Sequence, residues 1–97
     1  MTLTSVTALA TEGGGAQITY ALAAPATVSA DILNLSGALI RTISTGTLSP
    51  AGISTLVWDG RNASGSAVPA GLYLVRLTVD SDSGERTTAL RSLSLSR

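Results

Sequence analysis

A two-residue alternation of apolar and polar positions runs through most of this chain. From Leu72 to Val79, Tyr73, Val75, Leu77 and Val79 fall on one face, and Leu72, Leu74, Arg76 and Thr78 on the other. Successive side chains of an extended strand point to opposite sides, so the pattern predicts a strand with one buried face. Ala16–Leu22 repeats it, with Ile18, Tyr20 and Leu22 against Gln17, Thr19 and Ala21. So does Thr27–Leu33, with Val28, Ala30 and Ile32 inward and Ser29 and Asp31 outward; Leu33 breaks the polar face and is read as cover for a sheet edge. Four weaker segments complete the set. Leu3–Ala10 alternates loosely and reads as an edge strand. Ala38–Ser44 puts Leu39 and Ile43 on one face and Ile40 on the other, leaving open which is buried. Ile53–Trp58 places Leu56 and Trp58 together. Glu85–Ser94 changes parity, with Thr88 and Leu90 on one side and Leu93 and Leu95 on the other, which predicts a bulge near Arg91 or Ser92.

Turn chemistry separates these segments. Gly13-Gly14-Gly15, Ala23-Ala24-Pro25, Asn34-Leu35-Ser36-Gly37 and Asp80-Ser81-Asp82-Ser83-Gly84 each end a run, and Thr45–Gly52 reads as a loop built on Gly46, Pro50 and Gly52. No segment holds helical apolar spacing over a useful length. Seven short strands between turn signals predict an all-β sandwich of antiparallel strands. No repeat, linker or second domain interrupts it, so residues 1–97 are expected to form one domain.

The densest stretch is Leu56 to Leu77. It holds the only Trp and one of the three Pro, Pro69. Asp59-Gly60 starts a turn, because Asp accepts backbone N–H groups ahead of it and Gly admits positive φ. Asn62-Ala63-Ser64-Gly65 is a second signal of the same kind. Pro69 cannot donate to a ladder, so Ser66–Ala70 is at best a short edge segment, and Gly71 marks a bend or bulge before the long strand. The succession Trp58-Asp59-Gly60-Arg61-Asn62, Ser64-Gly65 and Val68-Pro69-Ala70-Gly71-Leu72-Tyr73 resembles the Ig-like domain family of the flagellar hook-capping protein, the FlgD-like family. The resemblance reaches upstream to Asp31-Ile32-Leu33-Asn34, Gly37 and Arg41 and downstream to Arg91, Leu93 and Leu95, from about Ala16 to Arg97. It implies an immunoglobulin/fibronectin-III-like β-sandwich of about seven antiparallel strands. It marks Trp58, Asp59, Gly60, Asn62, Gly65, Pro69, Gly71 and Tyr73 as a structural motif. Its functional content is broad, since such modules occur at the ends of many unrelated secreted bacterial proteins.

Composition narrows the chemistry. Hydrophobic residues make up 44% of the chain, enough to exclude disorder by composition. With no Phe, the core must be built from Ile, Val, Leu and Ala around Trp58. Six Arg balance six acidic residues and Lys is absent, so no basic stripe points to nucleic acid or an anionic membrane surface. A neutral surface favours association. No apolar run reaches the roughly 18 residues of a membrane span. Met1-Thr2-Leu3 lacks the basic start of a signal peptide, so an exported parent is expected to carry its signal upstream.

Without His or Cys, most acid–base, thiol and zinc chemistry is excluded, and no Ser has a His or Lys partner. The carboxylates Glu12, Asp31, Asp59, Asp80, Asp82 and Glu85 sit mostly in turns; no catalytic pair and no cofactor or metal site is assigned. Asp80 with Asp82, and Asp59 with Asn62, fall short of the six to eight oxygens calcium takes. The triplets Asn34-Leu35-Ser36 and Asn62-Ala63-Ser64 match a glycosylation acceptor, yet read as local turn bonding. Trp58 reads as a core anchor, with a sugar-stacking platform as its rival. Tyr73 reads as a core residue with its hydroxyl at the rim, and Arg76, Arg86 and Arg91 as lining one solvated sheet face. The expectation is a non-catalytic structural or docking module of an extracellular or envelope-associated bacterial protein, with other domains or identical subunits as partners. The alternatives are a fibre subunit assembled by strand pairing, a C-terminal export or anchoring domain, and a carbohydrate-binding module.

Overall fold

The structure, a computed structural model, describes residues 2–11 and 14–95. Seven strands follow one another: β1 (Leu3–Ala10), β2 (Ala16–Leu22), β3 (Ala26–Leu33), β4 (Leu39–Ser49), β5 (Gly52–Trp58), β6 (Gly71–Ser81) and β7 (Arg86–Leu95). They form two antiparallel sheets, ordered β1-β2-β5 and β4-β3-β6-β7. No helix occurs among the described residues. In a constant-type immunoglobulin domain the fourth strand lies in the first sheet. Here it pairs with β3 instead, which makes the sandwich three strands on four, the fibronectin-III-like form.

The alternation explains the core. Ala16, Ile18, Tyr20 and Leu22 of β2 face Val28, Ala30 and Ile32 of β3 and Tyr73, Val75, Leu77 and Val79 of β6 across the sandwich, all buried. Leu3 and Val6 of β1, Trp58 at the end of β5, and Leu93 and Leu95 of β7 close its margins, and β1 lies against β7. Polar groups inside are paired: the Tyr20 hydroxyl is 2.9 Å from Ser49 Oγ. Leu33 is 6% exposed but stands apart from this core, on the outer face among Leu39 and Leu74, its ladder neighbours.

The structure corrects the sequence reading in four places. First, Thr45–Ser49 is strand, not loop, and only Pro50-Ala51 separates β4 from β5. The chain stays in the sheet because Gly46, at φ 55°, absorbs an extra residue and donates its N–H to Ser29 Oγ at 2.9 Å. Secondly, Ile40 and Ile43 do not face opposite ways. The β3–β4 register slips between Leu39 and Arg41 and again between Thr42 and Ser44, so each isoleucine is the unpaired residue of a bulge, and both pack against the core.

Thirdly, β7 has no bulge: its register with β6 is unbroken from Leu95 opposite Gly71 to Arg86 opposite Asp80. The parity problem disappears because Leu90 faces solvent, 52% exposed, while Arg91 takes an inward position at the margin and donates from Nε to Val6 O of β1 at 3.3 Å. Fourthly, therefore, Arg91 does not share a face with Arg76 and Arg86. Those two pair with carboxylates on the outer face, Arg76 with Asp31 at 2.9 Å and Arg86 with Asp80 at 2.7 Å. The Asp80 hydrogen bond and charge raise the Arg86 pKa further above its ordinary value. Smaller shifts move the last hairpin turn to Asp82-Ser83-Gly84 and reduce Ser66–Ala70 to a single bridge, Ala67 opposite Arg61. Glu12, Gly13, Ser96 and Arg97 lie outside the described residues.

Candidate functional site

The motif residues converge at one end of the sandwich, where β5 hands the chain across to β6. Trp58 is 2% exposed; its parity with Leu56 turns the indole into the sandwich, and its Nε1–H donates to Arg61 O at 2.9 Å. The ring meets Tyr73 edge to face, with centroids 6.0 Å apart at 69°. That burial overturns the sugar-stacking alternative for this ring.

The polar side chains of the motif turn back onto the chain itself. Asp59 Oδ1 accepts the Arg61 N–H at 3.0 Å, the turn bond its position predicts. Asn62 Oδ1 accepts from Ser64 N and Ser66 N, both at 3.0 Å. Gly60, at φ 79°, lets the chain reverse, and its carbonyl accepts from Val68 N. Gly65 receives Arg61 Nη1 on its carbonyl at 2.8 Å. Arg41 Nη1 reaches up from β4 to Asp59 Oδ1 and Arg61 O, both at 3.3 Å, and Ala63 N donates to Ile40 O. An open groove of about 520 Å³ lies between this crossover and the start of β4. Of its charged lining, Arg41 and Asp59 pair with each other and Arg61 donates to the Gly65 carbonyl.

Tyr73 supplies the contact that sequence reasoning missed. Its hydroxyl donates to Pro69 O at 2.7 Å, four residues back at the corner where β6 begins. This is the tyrosine corner of immunoglobulin-type sandwiches. The signal was present in Pro69-Ala70-Gly71-Leu72-Tyr73: Gly71, at φ 145°, turns the chain so that the hydroxyl meets the carbonyl. Tyr73→Phe keeps the ring packing and leaves Pro69 O without this donor. It is expected to cost about 1 kcal/mol, lowering the thermal midpoint by about 4–8 °C; an unchanged midpoint in a calorimetric scan would show the bond contributes nothing.

The remaining candidates are dispersed. Asp31 sits between Arg76 and Thr42 on the outer face of the four-stranded sheet. Asp80, Asp82 and Glu85 gather near the last hairpin, where Glu85 N bonds Ser81 Oγ. Asn34 Oδ1 accepts from Ser36 N and Ala38 N, so both Asn-x-Ser triplets are folded into turns. Among the described residues no group of three acidic side chains could hold a metal ion. Millimolar calcium is therefore expected to leave the melting temperature unchanged; a rise reversed by chelator would contradict this.

The comparisons with known proteins agree with this geometry. The basal-body rod modification protein FlgD of Salmonella typhimurium is 39% identical over 51 residues, covering 53% of this chain and 22% of that protein. Among solved structures, FlgD from Xanthomonas campestris superposes with a TM-score of 0.68 at 23% identity, over 97% of this chain and 65% of that one. Dimeric latent PorU from Porphyromonas gingivalis gives 0.74 at 19% identity, over 95% of this chain and 9% of that one. At such identities the solved structures show the shared fold, and the chain spans less than a quarter of the length of its curated relative. The FlgD Ig-like domain profile matches residues 5–83, most of the chain, which therefore belongs to the FlgD Ig-like domain family.

Proposed function

We propose that this domain is a structural and docking module of an exported bacterial protein, working at the cell surface or beyond it by rigid presentation of its faces to other domains or subunits. One observation carries the reading. The polar side chains of the family motif, from Arg41 to Tyr73, are bonded to the domain's own backbone and to each other, which stiffens the crossover rather than equipping it for a substrate. Family membership supports it, since the solved Xanthomonas relative is described as a hook-capping protein essential for flagellar assembly. The test is to tag the protein in its native host and expose intact cells to external protease. Cleavage, or recovery of the tag in the medium, is the expected result; a tag protected until the cytoplasmic membrane is broken overturns the extracellular role.

A fibre subunit that lends β1 to its neighbour is the second reading. It is favoured by the small hold on β1, where only Leu3 and Val6 are buried. Against it, β1 pairs along its length with β2 of the same chain. Light scattering of the full chain, beside a variant starting at Ala16, separates the two. Oligomers formed only by the full chain would favour the fibre.

A further inference from the structure

The four sheet edges are not alike. β4 is broken by register slips and kinked at Gly46. β7 carries Arg86 and Arg91. β1 has an irregularity between Leu3 and Ser5, and Arg91 from the other sheet occupies the Val6 carbonyl on its free side. Bulges and charges are the usual devices that keep an edge from pairing with another chain. β5 has none of them: Gly52–Trp58 contains no charge and no Pro, and its ladder with β2 runs unbroken from Gly52 to Trp58. Its other side pairs with no strand among the described residues.

The space beside that edge has a definite shape. With β1 set against β7, the strand of the larger sheet left without a counterpart is β4. On its inner face Ile40 and Ile43 are correspondingly only partly buried, with Arg41 between them opposite Ile32. A notch of about 170 Å³ lies there, lined by Ile43, Val57 and Trp58, with the Arg41–Asp59 pair at one end. The outward residues of β5, Ile53, Thr55 and Val57, continue a face with Gln17, Thr19, Ala21, Ser5, Thr7 and Leu9 that carries no charge.

We propose that the free edge of β5 accepts one extended segment of another polypeptide as a fourth strand of the smaller sheet. The segment would be about seven residues long, matching β5, and uncharged. Alternate apolar side chains would cover Ile40 and Ile43, and small or β-branched ones would extend the neutral outer face. The absence of an unpaired charge at the notch selects this chemistry: Arg41 and Asp59 already hold each other, so a further charge set over the isoleucines would be desolvated without a partner. A second complete sandwich does not fit edge to edge, since its own four-stranded sheet would meet the overhanging β4. The inference deepens the docking role proposed above and rests on it.

The test uses the full, isotope-labelled chain titrated with two capped peptides. One has the sequence of residues 3–10, which already pairs within this sheet; the other alternates Thr and Val. Expected are amide shifts confined to Gly52–Trp58 and to Ile40–Ser44. Ile43→Lys and Ser54→Lys, each placing a charge under the added strand, should weaken binding at least tenfold. Leu90→Lys, on the far sheet, should not, and the thermal midpoints of all three verify folding. Shifts at β1 or β7, binding indifferent to both inward lysines, or no response to either peptide at millimolar concentration overturns the proposal. So does dimerisation of the chain alone through the same amides, which would make a second copy the occupant. None of these results bears on where the protein resides, so the location assigned by the protease experiment stands or falls separately.

Discussion

Trp58→Ala is expected to cost about 3–5 kcal/mol, the range for removing a buried large aromatic side chain. Domains of this size are held by about 5–15 kcal/mol, so the loss removes a large part of the total. Two contributions add. The indole fills the end of the sandwich at 2% exposure and packs edge to face on Tyr73. Its N–H also ties Arg61 O, which Arg41 shares, so the crossover loosens as the cavity opens. The thermal midpoint should fall by more than about 10 °C. Trp58→Phe retains a ring against Tyr73 and loses the hydrogen bond, so it should recover much of the deficit. A Trp58→Ala protein melting within a degree or two of the parent would place the weight of the core elsewhere.

Gly15→Ala is the second large effect, and its cause is space rather than backbone conformation. A Cβ at residue 15 would stand 2.6 Å from Trp58 O and 3.1 Å from Thr11 Oγ1. The nearer atom is backbone, fixed by the pairing of Ala16 with Trp58, and the Gly15 carbonyl also closes the β1–β2 turn by accepting from Thr11 N. Something must shift, and forced shifts of this kind cost about 1–3 kcal/mol. Gly84 provides the contrast: it sits at φ 86° with open space around it, so substitution there meets only conformational strain. Asn tolerates that conformation better than Ala, so Gly84→Asn should be milder than Gly84→Ala. Gly15→Asn should be no milder than Gly15→Ala. Denaturant midpoints of the four variants check this; a mild Gly15→Ala would mean that β2 and β5 separate there easily.

The same residues show what the chain discloses unaided. β2 and β6 are legible because each has an unbroken buried face and the period survives from end to end. β4 is not, because its bulges put Ile40 and Ile43 on one side at a spacing that strict alternation forbids. β7 misleads for a different reason. A sandwich margin accepts an Arg at an inward position when its guanidinium can reach a carbonyl of the facing sheet, and no local pattern distinguishes margin from centre. In the motif, the turn bonds of Asp59 and Asn62 follow from residue type and are readable. The reach of Arg41 to Asp59 joins positions 18 apart and depends on how the sheets stack.

The antiparallel order places Leu3 and Leu95 at opposite ends of a body 39 Å long, since β1 starts where β2 ends and β7 ends where β6 starts. Tension applied through the two ends therefore runs along the strands. Ladder hydrogen bonds lie across that direction, so β1 and β7 are pulled in shear and many bonds resist together instead of opening one at a time. The Arg91 tie to Val6 O bridges the two loaded strands near mid-length. Forced unfolding is governed by the rate of opening rather than by equilibrium stability. Strung in this way, the domain should resist extension more than its equilibrium stability alone would suggest.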